Sequence, residues 1–474
     1  MGKALTTGIV VICAVFYSLI FLVAGSPAAF AVIIVLGLLF YCSRTSLRMV
    51  IFWCLFCLVF FGIVGNLFPP LNFLTKLHEI FVVVIFFRII KAYASDPKKF
   101  FYVRPIFGLS FIFVLFSVVS WLYNRSSAVG LFYFLYSYLK FFIIFIAAAI
   151  LLSEDDINFL MKSILNFIII QVAIQLVQMG TYGHGRILVG PEINLWEDSA
   201  CGTFGHYGAH ELGHFMLIMF FWTSMCYFTY KTRNWLGWSF VAFTSFFLAF
   251  AEQDYIILAL FFFCLIFIFK VRSFGYRVGM VVATGLLLLV LSSYGFQPWG
   301  RYVELFSNHR KVSSSGKVEG YHTAFKILNQ SGDRWVVGTG PGSYCSGAAF
   351  KVEGKFFKQY IEWKIKNILS TTDYLWSSFT AILVEVGLLG YAIYFSIFLY
   401  IFSILLKGWS YIRRGFGDKN DYAVIFPALF VLGYLFFLSL LSDVLEWSVV
   451  IFPAILLCAL ACKACFRYRS KTNA

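Results

Sequence analysis

A chain of 474 residues with 61% hydrophobic and 12% charged residues, at a mean hydropathy of +0.86, falls outside the range of soluble domains, of which roughly a quarter is charged. A soluble helical protein is thereby excluded. The formal net charge of +15 lies mostly between apolar runs, as expected for a membrane protein, and gives no reason to invoke nucleic acid.

A helix needs about 20 apolar residues to cross the hydrocarbon core. Fourteen candidate runs are centred near Val15, Val35, Phe56, Val84, Val114, Phe142, Ile169, Phe220, Phe246, Phe263, Leu287, Ile393, Leu432 and Leu456. Several are short and Arg88 interrupts the fourth, so the sequence predicts an all-α, polytopic membrane protein with about 12–14 transmembrane helices. The first run has no small-residue cleavage site and passes straight into the second, so no cleavable leader is expected.

The one long polar segment divides the chain. Residues 1–293 read as a helix bundle with a medium loop at 181–208, residues 294–372 as a large outer loop, and residues 373–474 as C-terminal helices and a tail. No internal repeat is visible.

The cations set the orientation. With the N-terminus inside, Arg44 and Arg48, the group from Lys91 to Arg104, Lys231 and Arg233, the group from Lys270 to Arg277, the group from Lys407 to Lys419 and the tail all face the cytoplasm. Only the acidic turn Ser153–Asp156 sits against the trend. Residues 181–208 and 294–372 then face outside. The long loop is basic on the wrong side, carrying Arg301, Arg310, Lys317 and Arg334 with His309 and His322. A cationic loop beside a bilayer is suited to anionic groups. Its cluster Gly338-Thr339-Gly340-Pro341-Gly342 reads equally as a turn or as a backbone nest for a phosphate.

Two short patterns compete for the chemistry. His210-Glu211-Leu212-Gly213-His214 matches H-E-x-x-H, which sets two zinc ligands one helical turn apart with a glutamate as base. No third ligand follows in a recognisable setting, so a membrane zinc metalloprotease stands as a remote alternative, and no metal or other cofactor is expected. A transporter or flippase would show internal repeats and short outer loops. Cys201 and Cys345, one in each outer loop, fit either a disulfide or two free thiols.

The same segment with its flanks, Gly202-Thr203-Phe204-Gly205-His206, precedes an apolar run. Downstream come Ser315-Gly316-Lys317 with Tyr321, Ala324 and Leu328, then Gly338-Thr339-Gly340-Pro341-Gly342-Ser343-Tyr344, then Leu383-Val384-Glu385-Val386-Gly387-Leu388-Leu389-Gly390. In this order they resemble the G-T-F-x-H, S-G-R, G-x-G-x-G and L-x-E-x-G-L-x-G segments of the O-antigen polymerase and O-antigen ligase superfamily. They cover about a third of the chain. Lys317 replaces the family's arginine, keeping the charge but not the bidentate fork. Ser370-Thr371-Thr372-Asp373 stands where the ligase branch has its histidine, which favours the polymerase. Glu252-Gln253-Asp254 stands where the family has a serine–arginine pair.

The resemblance implies a GT-C-like fold in a bacterial inner membrane and glycosyl transfer between undecaprenyl-diphosphate-linked glycans, a donor and an acceptor. It also implies a chain-length regulator and a flippase as partners. The leaving group is a lipid diphosphate, so cations that hold it matter more than a general acid. Arg186, Arg301, Arg310, Lys317 and Arg334 are the candidates, with Gly338, Gly340, Gly342 and His206 as further substrate contacts. The acceptor hydroxyl needs a base, and Asp373, Glu252, Asp254 and His322 are candidates, with Asp373 favoured because it lies where the basic loop meets the returning helix. Charged residues inside a span are costly and usually functional, which also singles out Glu385, although a packing role suits it equally. The alternative within the family is the ligase that moves the glycan to lipid A-core.

Overall fold

The computed structural model describes residues 44–67, 76–182, 201–204, 208–249, 317–362, 377–415 and 418–472, with a few isolated positions and one strand pair. These residues are almost wholly helical. The bundle contains α1 (Leu47–Leu67), α2 (Leu77–Ser95), α3 (Arg104–Asn124), α4 (Ala128–Ile146, prolonged by a π turn through Leu151), α5 (Glu154–Tyr182), α6 (Ala209–Tyr230) and α7 (Arg233–Leu248). Three short helices follow: α8 (Lys317–Leu328), α9 (Gly332–Val337) and α10 (Gly347–Val352). Then come the long α11 (Ser378–Arg413), α12 (Lys419–Leu441) and α13 (Ser448–Thr472). Two-residue strands β1 (Ile187–Leu188) and β2 (Asn194–Leu195) pair antiparallel.

Seven of the described helices, α3 to α6 and α11 to α13, are long and apolar enough to cross a membrane. The described residues therefore form a helical membrane protein, with one short strand pair as the exception. Of the fourteen apolar runs, those near Val15, Val35, Phe263 and Leu287 lie outside the described residues, and the other ten each fall in a helix. Two of those ten are weaker spans for visible reasons: α2 carries Glu79, Arg88 and Lys91, and α7 has 16 residues.

The centre is α13, whose apolar window is 89% buried within the protein, whereas that of α3 is 22% buried and presents Phe111, Leu115 and Leu122 outward. Small residues make the central position workable. Ala454, Ala459, Ala461 and Ala464 are buried along α13, and Gly408 of α11 leaves room for the Cys465 thiol, which a Cβ at that position would overlap.

The bundle has two different ends. At one, Arg467 bonds Glu154 at 2.9 Å and Asp421 at 2.7 Å, Arg48 pairs with Asp156 at 3.3 Å, and the Lys463 ammonium donates to the Leu152 carbonyl. This is the end that the cation count assigns to the cytoplasm. The acidic turn that departs from that count is explained here, because its carboxylates are partners for cations arriving from α1 and α13. At the opposite end, α8 to α10 form a cap. Ala324, Ile327, Leu328, Tyr344, Cys345, Ala349, Phe356 and Phe357 pack with Ala381, Leu383 and Val384 of α11 into a small second core.

Candidate functional site

The cap is held by a clasp of glycines. The backbone of α11 breaks at Gly387, with φ 72°. Carbonyls beside the break accept bonds from outside the helix: Thr339 N–H donates to Val384 at 2.8 Å and Gly340 N–H to Glu385 at 2.9 Å. Gly338 and Gly387 lie back to back. A Cβ on Gly338 would stand 2.5 Å from the Glu385 carbonyl, and one on Gly387 would overlap the Val336 carbonyl oxygen. Gly338, Gly340 and Gly342 all have left-handed φ, at 73°, 96° and 72°, a region that only glycine enters without cost. Gly342 meets Gly130 at the start of α4, where a Cβ would come within 2.8 Å of the Gly130 Cα. Ser120 of α3 closes the arrangement by donating to Val337 O at 2.6 Å.

Inside the clasp sits the Glu385 carboxylate, wholly buried. It accepts from Gly342 N–H at 2.5 Å, Tyr344 N–H at 3.2 Å, Cys345 N–H at 3.1 Å, Ser346 N–H at 3.0 Å and Ser346 Oγ at 2.9 Å. The loop is an anion-binding nest, and the anion is the protein's own. The N–H groups of Gly338 and Gly340 are taken too, by the Arg334 and Glu385 carbonyls. All three N–H groups of Gly338, Gly340 and Gly342, the glycines expected to contact substrate, are thus engaged within the protein. Of the readings open for Glu385, the geometry supports the packing role.

The next residue along the loop serves a second carboxylate. Gly347 N–H donates to Glu446 Oε2 at 2.8 Å, and the Tyr138 hydroxyl donates to Oε1 at 2.6 Å. Glu446 lies in the connection between α12 and α13 and is partly exposed. Burial pushes its carboxyl above the usual range, while the Tyr138 hydroxyl, the Gly347 N–H and the cations Lys140 and Lys351 pull it back. Lys351 lies over the Tyr133 ring at 3.8 Å. Cys345, between these groups, has its thiol pushed well up by burial. The sequence reading missed Glu446. Its one signal was an acidic pair, Asp443 and Glu446, in a short turn between two strongly apolar runs.

The Gly202-Thr203-Phe204 segment is built into the bundle. Gln178 brackets Gly202, accepting from its N–H and donating to its carbonyl, both at 2.9 Å. Gln171 accepts from Thr203 N–H at 2.8 Å, and the Thr203 hydroxyl donates to the Val59 carbonyl. His214 is buried, 2.7 Å from the Tyr434 hydroxyl and stacked on Trp447 at 5.3 Å. Half of the H-E-x-x-H pattern is thus a core histidine. No group of three metal-ligating side chains occurs among the described residues.

Arg334 is engaged inside the cap. Its guanidinium donates to Ile327 O at 3.2 Å and to Gln330, and lies 5.0 Å from the centre of the Phe356 ring. His322 is exposed on α8, while its neighbour Tyr321 turns in to donate to the Leu440 carbonyl. Asp333 accepts from Tyr123 at 2.5 Å, which holds its carboxyl below the usual range. Cys201 and Cys345 are not joined by a disulfide; one packs against Ala209 and the other in the cap core. Asp373, Glu252, Asp254, Arg186, Arg301, Arg310, His206 and His309 lie outside the described residues, as do the side chains of Lys317 and His210. The chain matches no protein-family model and no curated protein.

Proposed function

We propose that the protein is a bacterial inner-membrane polysaccharide polymerase. It joins oligosaccharide repeat units carried on undecaprenyl diphosphate, at the periplasmic face, by glycosyl transfer that needs no metal. One observation carries the reading. Two of the segments that resemble the O-antigen polymerase and ligase superfamily, Gly338–Tyr344 and Leu383–Gly390, lie far apart in the chain and interlock as the Glu385 clasp. Two motifs that lock together at the end opposite the ion-paired face fit a shared outer-face machine.

The clasp would fix the cap over the bundle, so that the basic residues of the long loop meet the carrier diphosphate in a set geometry. The test is deletion of the gene in its host, with the surface polysaccharide resolved on a gel. The polymerase reading expects lipid A-core capped by a single repeat. Uncapped lipid with normal carrier-linked polymer would assign the ligase reaction instead, and an unchanged pattern would exclude both.

A further inference from the structure

The carboxylates of the cap end differ in what they can still accept. A carboxylate offers about four lone-pair sites, and Glu385 already takes five donors while wholly buried. Asp333 and Glu353 are exposed, one held by Tyr123 and the other by Lys358 at 2.7 Å. Glu446 takes two donors, from Tyr138 and Gly347, and its residue reaches solvent. Around it stand Tyr138 and Lys140 of α4, Tyr394 of α11, Cys345 and Lys351 of the cap, and Asp443 of its own turn. Tyr138 and Tyr394 are fully buried, so its dry side is rigid and aromatic.

We propose that Glu446 is the proton acceptor of the transfer reaction, an inference that rests on the polymerase reading above. The acceptor sugar's hydroxyl oxygen bonds to the anomeric carbon of the donor. The bond from that carbon to the diphosphate breaks, and its electron pair leaves with the diphosphate. The hydroxyl proton passes to a free lone pair of Glu446 and from there to water. The surroundings of Glu446 suit this role, because a base gains from a proton affinity above that of an exposed carboxylate. Burial raises that affinity while Tyr138 and Gly347 keep the charged form accessible. Gly347 also ties Glu446 to the loop that Glu385 locks, so cap and base share one frame.

The experiment uses the purified full chain, a polyprenyl-diphosphate-linked oligosaccharide and a pH series, with polymer read on a gel. Glu446→Gln should lower the rate by about a hundredfold or more while melting and binding donor lipid as the native protein does. Glu446→Asp should retain part of the activity. Tyr138→Phe should stay active with its acid limb moved to higher pH, because the hydroxyl that favours the charged carboxylate is gone. A purely structural Glu446 would leave that limb in place. An active Glu446→Gln, or loss of activity in Asp373→Asn alone, overturns the inference. If Glu446→Gln fails to fold, the limb of Tyr138→Phe decides. A native protein that makes no polymer counts against the polymerase reading itself.

Discussion

The two ends of the bundle use bonds of similar length to different effect. At the cap end, backbone N–H groups converge on Glu385 at 2.5 to 3.2 Å, inside a site with no exposure. At the other end, Arg48 reaches Asp156 at 3.3 Å and Arg467 reaches Glu154 at 2.9 Å, with all four side chains 28% exposed or more, and only the Arg467–Asp421 pair at 2.7 Å has a buried carboxylate. Exposed pairs contribute about 0–1 kcal/mol and are screened by salt. A buried carboxylate stripped of its donors costs several times that. The cap end is therefore tightly constrained and intolerant of change, whereas the opposite end sets charge and orientation with little demand on geometry.

The sharpest way to break this contrast is at the glycines. Gly387→Ala or Gly338→Ala sets a Cβ within 2.5 Å of backbone atoms at φ 72° or 73°. Backbone cannot yield as a side-chain tip can, so a loss of about 3 kcal/mol or more is expected, seen as collapse of the folded yield in detergent. Next is Glu385→Gln, which turns an amide N–H₂ toward backbone donors. It should cost about 2–4 kcal/mol, read by denaturation of the purified protein. Smallest is Arg48→Ala, expected within about 1 kcal/mol and vanishing at high salt. If Arg48→Ala proved as damaging as Glu385→Gln, the contrast between the ends would be wrong.

The sequence made some of this legible and hid the rest. Unbroken apolar runs announce α3 to α6 and α11 to α13, since a span needs nothing beyond length and hydropathy. The glycine cluster and Glu385 were both visible as points of interest. Their union was not, because Glu385 bonds residues 39 to 43 positions away and the approach depends on a helix break at Gly387. Viewed alone, G-T-G-P-G looks ready for a phosphate; only the fold reveals that a carboxylate already fills it. Glu446 was overlooked because an acid in a short turn reads as solvated. Its setting depends on Tyr138, 308 residues away. Ser153–Asp156 went against the orientation count for the same reason, its cations arriving from distant helices.

The clasped cap is expected to face outside, opposite the ion-paired end. Gly332 is exposed at the start of α9 with open space where a Cβ would be, and Arg414 is exposed beyond the end of α11. The described native cysteines are buried, so a new thiol at either position stands out. A membrane-impermeant maleimide should label Gly332→Cys from outside in cells with an intact inner membrane, and Arg414→Cys only after that membrane is permeabilised. The reverse pattern would place the clasp in the cytoplasm and contradict the account.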